Sequence, residues 1–144
     1  MNPDKNIKLI IPKRKFLTQT SWGDPVFWHF YPGASIVYRK RLRNAVKLLQ
    51  GKRFENLLEI GYGSGILLPT LSKFAKKVTA MDIHKKTKEV EKLLDWYQVS
   101  NVKLDVGDIM EMLYTDNQFD GCVIVSTLED IPESARAAKE IKRV

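Results

Sequence analysis

Cysteine is almost absent from this chain. Cys122 is the only one in 144 residues, which excludes a disulfide within the chain and any cysteine-cluster metal site. No other metal-ligand spacing is present, and histidine is limited to His29 and His84. No apolar run approaches the roughly 20 residues that a membrane-spanning helix needs. Asp4 and Lys5 at the N-terminus are not followed by a signal-peptide apolar region, so the expected compartment is cytoplasmic. Internal repeats and low-complexity linkers are also missing. What remains is an ordinary globular composition, 44% hydrophobic and 28% charged, in a length that suits one domain.

The charge is plentiful but unevenly placed. The formal net charge is +7. Lys5, Lys8, Lys13, Arg14 and Lys15 lie in the N-terminal arm, and Arg39, Lys40, Arg41, Arg43, Lys47, Lys52 and Arg53 follow. Such a front half is either a solvated face or an attraction for nucleic acid, anionic lipid or an acidic substrate. Nucleic acid is not the favoured partner.

Pro3 and Pro12 argue against a regular helix in residues 1–15, where the pattern suggests an arm with an edge strand at 8–11. Residues 16–33 are dense in aromatics (Phe16, Trp22, Phe27, Trp28, Phe30 and Tyr31). They read either as a lid over a pocket or as a hydrophobic cover on a sheet. We therefore take 1–33 as a basic and aromatic arm or lid and 34–144 as the main domain.

Within that domain Tyr38, Leu42, Ala45, Val46 and Leu49 make one apolar stripe, which predicts a helix over 34–50 closed by Gly51. A strand is expected at 56–60, then a glycine turn and a helix of about ten residues with Pro69 in its first turn. Further strands are expected at 77–81 and 102–106, and a helix at 84–98. Residues 109–113 suggest a short helix or turn. Cys122-Val123-Ile124-Val125 is continuously apolar, as in a strand buried on both faces, so 119–126 is the fourth strand and Cys122 is expected in the core. A last helix fills 132–144, with Ser134 as its cap. This order implies an α/β, Rossmann-like parallel sheet with helices on both faces.

Ligands of such sheets bind beyond the carboxyl ends of the strands. The first three strands end near acids (Glu59, Asp82 and Asp108), and the fourth near Ser126, Glu129 and Asp130. A nicotinamide dinucleotide would use G-x-G-x-x-G with an acid such as Asp82 for its ribose. The spacing here, Gly61-Tyr62-Gly63-Ser64-Gly65, is G-x-G-x-G, and that cofactor has no evident use for Glu59 or Asp108.

Glu59-Ile60-Gly61-Tyr62-Gly63-Ser64-Gly65 resembles motif I of the class I S-adenosylmethionine-dependent methyltransferases. Asp82 resembles their second-strand acid, Gly107-Asp108-Ile109 their third motif, and 119–125 their fourth strand. Residues 126–131 with 140–144 are similar to the type 11 subfamily. The resemblance, covering about residues 55–144, implies S-adenosyl-L-methionine as cofactor and in-line methyl transfer to a small-molecule or lipid-like acceptor. It assigns the methionine end to Glu59, Gly61, Tyr62, Gly63 and Gly65, the ribose to Asp82, and the adenine to Ile83, Asp108 and Ile109. Val125 and Ser126 would lie near the sulfonium.

A catalytic base is not evident. His29, Tyr31 and Glu129 are the candidates, with Tyr38 and Asp130 behind them, and His84 reads as structural or as a surface residue. No Asn-Pro-Pro-Tyr-type run follows the fourth strand, which disfavours amino-group methylation of adenine or glutamine, and Cys122 is not in a Pro-Cys loop. The family's usual domain has seven strands and only four are legible here. The chain therefore reads as a fragment, or as a short form whose sheet is completed by a second copy or a partner chain. The alternative functional reading is a cofactor-binding half-domain without activity of its own, or an RNA- or membrane-associated subunit using the basic half.

Overall fold

A computed structural model describes residues 6–144. Pro3, Asp4 and Lys5, read above as part of the arm, lie outside the described residues. Four strands, β1 (Phe54–Ile60), β2 (Ala75–Asp82), β3 (Val102–Val106) and β4 (Gly121–Ile124), form one parallel sheet in the order β3-β2-β1-β4. Four helices accompany them: α1 (Ala34–Leu49), α2 (Leu68–Leu71), α3 (Thr87–Trp96) and α4 (Ser134–Arg143).

Side chains alternate across a strand, so neighbours in β1 serve opposite faces. Leu57 joins Val78, Ala80 and Val123 under Leu42, Val46 and Leu49 of α1, Leu68 and Leu71 of α2, and Val90, Leu93 and Leu94 of α3. Leu58 and Ile60 join Met81 on the other face, against Ile109, Met112 and Ala137 of α4. The sheet is thus covered on both faces, as expected. Order reverses at β1: the chain steps outward through β2 and β3, then returns to β1's other side as β4. That reversal opens a crevice beyond the carboxyl ends of β1 and β4.

Several expectations are corrected. Residues 8–11 form no strand; Ile7 pairs with the Gln50 side chain and the Ile10 N–H donates to Thr70 Oγ1 at 2.9 Å. Pro12 follows at once and cannot extend a ladder. The helix after the glycine turn is four residues rather than ten. The chain must be back beside Phe54 by Ala75, and bonds from Lys73 N–H to Thr70 O and Phe74 N–H to Leu71 O tighten the exit into turns. The second helix spans only Thr87–Trp96, because the segment before it is held by side-chain contacts of Asp82 and His84. Of the short helix or turn expected at 109–113, the structure has the turn, at 109–110, followed by a bend at 111. Ser134 is the first helical residue of α4, not its cap.

The fourth strand differs most. It spans four residues rather than 119–126, and it is an edge strand whose Cys122 is exposed. Only Val123 in it is fully buried. No further strand lies on its outer side among the described residues, so the apolar run is not enclosed as its composition suggests. Among the described residues no helix is long and apolar enough to cross a membrane.

Candidate functional site

β1 delivers its carboxyl end into the crevice through a turn in which Gly61, Gly63 and Gly65 all have positive φ. The Gly61 N–H donates to Met81 O at 2.8 Å, tying the turn to β2. Asp82, at the end of β2, accepts the Gly63 N–H on Oδ2 at 2.9 Å and the His84 N–H on Oδ1 at 3.2 Å. His84 completes the brace. Its Nδ1 accepts the Lys86 N–H, so the ring hydrogen sits on Nε2 and is donated to Gly63 O at 2.9 Å. Its place is therefore structural.

The glycines divide their work. A Cβ on Gly61 would run into the Thr127 side chain across the crevice. A Cβ on Gly65 would meet Val90 Cγ1 of α3 at 2.7 Å, so this glycine permits helix–turn packing and lines no cavity. Gly63 faces the buried Asp24 carboxylate. Asp24 is fixed by N–H groups of Thr20 and Val26 and the Thr20 hydroxyl.

Two adjoining cavities occupy the crevice and share Gly61, Asp82, Ile83, Thr127 and Asp130. The first, about 280 Å³, brings Glu59, Tyr62 and Gly63 together with Val125 and Ser126 and with His29, Tyr38 and Arg41. The second, about 350 Å³, adds Asp108 and Ile109 at the end of β3. Asp108 Oδ1 accepts the Met110 N–H at 2.8 Å, and Ile109 is buried below it. Ile83 is 71% exposed and stands at the junction of the cavities.

Tyr31 and Glu129 are not among the lining residues. Tyr31 packs outside with Phe27 and Trp28, and Glu129 pairs with Arg41 at 3.6 Å. Asp130 lines both cavities in Glu129's stead. His29 does reach the wall of the first.

Three buried side-chain atoms among the described residues lack a hydrogen-bond partner: Glu59 Oε2, Tyr62 Oη and His29 Nδ1. All three residues line the first cavity. Buried polar atoms are rarely left unpaired, so their concentration here marks a place that accepts polar groups. Burial, followed by the nearby Asp82, pushes the Glu59 carboxyl up to about 8, which makes it largely protonated at neutral pH. Burial, then Arg39 and Arg41, pushes His29 down to about 4, so its imidazole is neutral. Burial also raises the Tyr62 phenol. Ser126 sits at φ 56, unusual for a residue with a side chain, and its hydroxyl accepts from Arg41 Nη1 at 2.8 Å.

Arg41 carries no motif and Thr127 falls only within the 126–131 stretch of the subfamily resemblance, which assigns it no role. Arg41 sits in a basic run whose members look alike until α1 is docked.

Comparison with known proteins gives three findings. The profile of the methyltransferase domain family matches residues 58–144. A curated demethylmenaquinone methyltransferase of Staphylococcus aureus is 33% identical over 111 residues, 75% of this chain and 44% of that protein. The chain thus spans less than half the length of the curated relatives it matches. In shape it is similar to an S-adenosylmethionine-dependent methyltransferase of Aquifex aeolicus (TM-score 0.64, 22% identity, all of this chain and 67% of that one). It is similar also to the N-methyltransferase NodS of Bradyrhizobium japonicum, solved with S-adenosyl-L-homocysteine (TM-score 0.61, 18% identity, 87% of this chain and 61% of that one).

Proposed function

The chain belongs to the class I S-adenosylmethionine-dependent methyltransferase family, and from that premise we propose that its crevice holds the cofactor and presents its methyl group to a small-molecule or lipid-like acceptor. The observation that carries this reading is the gathering, around one cavity, of the three residues whose buried polar atoms lack partners.

The residues present fit the cofactor. Glu59 offers a buried carboxyl with a free oxygen to an ammonium, and the glycine turn offers close approach to backbone. Asp82 retains acceptor capacity on both oxygens for ribose hydroxyls, as carboxylate oxygens take more than one donor. Asp108 and Ile109 give the second cavity an acid and an apolar floor for an adenine. The cofactor supplies a sulfonium methyl with a good leaving group already in place. The protein's share is proximity and alignment. Residues 16–33 contribute Ser21, Asp24 and His29 to the wall and act as the cover of the crevice.

His29 is the candidate for positioning an acceptor, in preference to Tyr31 and Glu129, because it lines the cavity. As a neutral imidazole it hydrogen-bonds without adding charge. The lipid-like class is supported by the name of the Staphylococcus aureus relative. The open edge of β4 supports a second reading, in which this chain binds the cofactor and turnover needs a further strand from a longer polypeptide or a partner.

Calorimetric titration with S-adenosylmethionine and S-adenosylhomocysteine tests the shared claim. Both should bind, and Asp82→Ala should weaken them by about 10- to 100-fold, the worth of charge-assisted hydrogen bonds. Absence of binding, or an unaffected Asp82→Ala, removes the proposal. Methyl-transfer assays over several acceptor classes then separate enzyme from binder.

A further inference from the structure

Half of the exposed large hydrophobic side chains of the described protein fall within one short segment. They are Trp22, Phe27, Trp28, Tyr31, Ile36 and Val37, with Trp22 99% and Ile36 69% exposed. Exposed apolar groups this concentrated mark an interaction site rather than ordinary surface scatter. The patch continues along α1, where Ile36, Lys40, Arg43 and Lys47 are all exposed at the spacings of one helix face. Residues 6–53 contain eleven lysines and arginines and a single acid, Asp24, which is buried. The exposed apolar cluster is thus continued along α1 by a row of positive charges, Lys40, Arg43 and Lys47.

This patch adjoins the acceptor side of the crevice. Trp28 stacks on Tyr38 with 6.4 Å between ring centroids, and Tyr38, His29 and Arg41 line the first cavity. We propose that this surface docks the protein on an anionic lipid bilayer, with the mouth of the first cavity facing the headgroups. Aromatic and aliphatic side chains insert to the level of the headgroups, and the lysines and arginines meet the anionic phosphates, as in interfacial amphipathic helices.

The observations favour a bilayer over nucleic acid. Phe27 and Trp28 meet edge-on at 78°, Trp28 and Tyr31 at 73°, and Tyr38 lies along a face of Trp28. Phe27, Trp28, Tyr31 and Tyr38 pack on one another and leave Trp22 as the patch's one freely exposed ring, whereas single-stranded nucleic acid stacks successive bases on several free, flat ring faces. Ile36 and Val37 have no use in base stacking. A second copy of this chain is disfavoured because two like-charged faces would meet.

The docking rests on the proposed function only where it makes the bilayer the source of the acceptor. Sedimentation of the whole chain with vesicles tests it directly. Binding is expected to vesicles of equal parts phosphatidylcholine and phosphatidylglycerol, weakening as salt is raised, with little to phosphatidylcholine alone. Lys40→Gln, Arg43→Gln and Lys47→Gln together should lower partitioning roughly a hundredfold. Trp22→Ser with Ile36→Ser, both at exposed positions, should lower it independently of salt. Equal binding to neutral vesicles, undiminished binding by the charge variant, or a single-stranded RNA oligonucleotide that strips the protein from vesicles overturns the proposal. Cofactor titration of the same variants keeps the two claims apart. Vesicle binding without cofactor binding sinks only the functional reading, and cofactor binding without vesicle binding sinks only this one.

Discussion

Glu59 and His29 face the same cavity with opposite proton preferences, and this sets a pH signature. The Glu59 carboxyl is raised from its ordinary 4.5 to about 8. Its folded state keeps a proton that the unfolded chain loses, so its stabilising contribution is complete below about 4.5 and is lost as pH rises through 8. His29 is lowered from 6.5 to about 4. There the unfolded chain binds the extra proton, so stability is complete above 6.5 and is lost as pH falls toward 4. The two slopes oppose each other between about 4.5 and 6.5 and leave a net decline from there to pH 8. Thermal melts across this range should show that decline. Glu59→Gln should abolish it and expose the His29 rise at lower pH; an unchanged profile refutes the assignment.

The glycines separate by the same kind of reasoning. Gly65→Ala forces a methyl against Val90 at φ +77. It should cost about 2–4 kcal/mol, from left-handed strain and overpacking. Gly61→Ala carries the same left-handed strain at φ +75 and drives its methyl into the half-buried Thr127 side chain, so it should destabilise as well, but it should also bind the cofactor at least tenfold more weakly, whereas Gly65→Ala should bind it nearly as wild type does. Melts and calorimetry on the two variants check both effects. Positive φ is common to both positions, but only the packing separates the glycine that borders the crevice from the one that packs against α3.

Among the elements, β4 is the one held least by its own ladder. It pairs with β1 over four residues, Leu57↔Gly121 to Ile60↔Ile124. Asp120 supplements that short seam: its carboxylate accepts the N–H groups of Glu55 at 2.8 Å and Asn56 at 2.9 Å. Burial pushes Asp120 up, but these donors outweigh it and hold the carboxyl below its ordinary range. Asp120→Ala should cost about 0.5–1.5 kcal/mol by handing two exposed backbone donors of β1 to water, with Asp120→Asn recovering part of it. Hydrogen exchange at Glu55 and Asn56 should accelerate in the alanine variant, and unaltered protection would contradict this role. The sequence located the strand but made it twice too long and misjudged its setting. An apolar run such as Cys122-Val123-Ile124-Val125 reports what a strand can bury, while its neighbours decide what it does bury. The expected ten-residue helix failed for a related reason, since Ile66 to Phe74 is apolar enough to be helical but must return to β2 within that length.

At the scale of the molecule, the open side of β4 and the basic, aromatic face around α1 are separate surfaces with separate consequences. An unpaired strand edge is a template for another chain. Concentration-dependent self-association should be visible by light scattering on a sizing column. Cys122→Lys, which adds a charge at an exposed position of that strand, should reduce it. Association that ignores this substitution but falls with Ile36→Ser would place the contact on the α1 face instead.

The sequence by itself determined the order of strands and helices, the glycine turn after Glu59 and the acids at 82 and 108, because each is a local signal: a period, a cap, or a residue type at a fixed spacing. Those signals also carried the family. Only the tertiary structure decided which of several similar residues meet. It sent His29 to the cavity and Tyr31 outside, chose Asp130 over Glu129, and brought Arg41 of α1 to Ser126 across 85 positions of chain. The reason is geometric. A turn is specified by its own residues, whereas a wall built from the arm, α1 and β4 exists only once those elements are packed around the sheet.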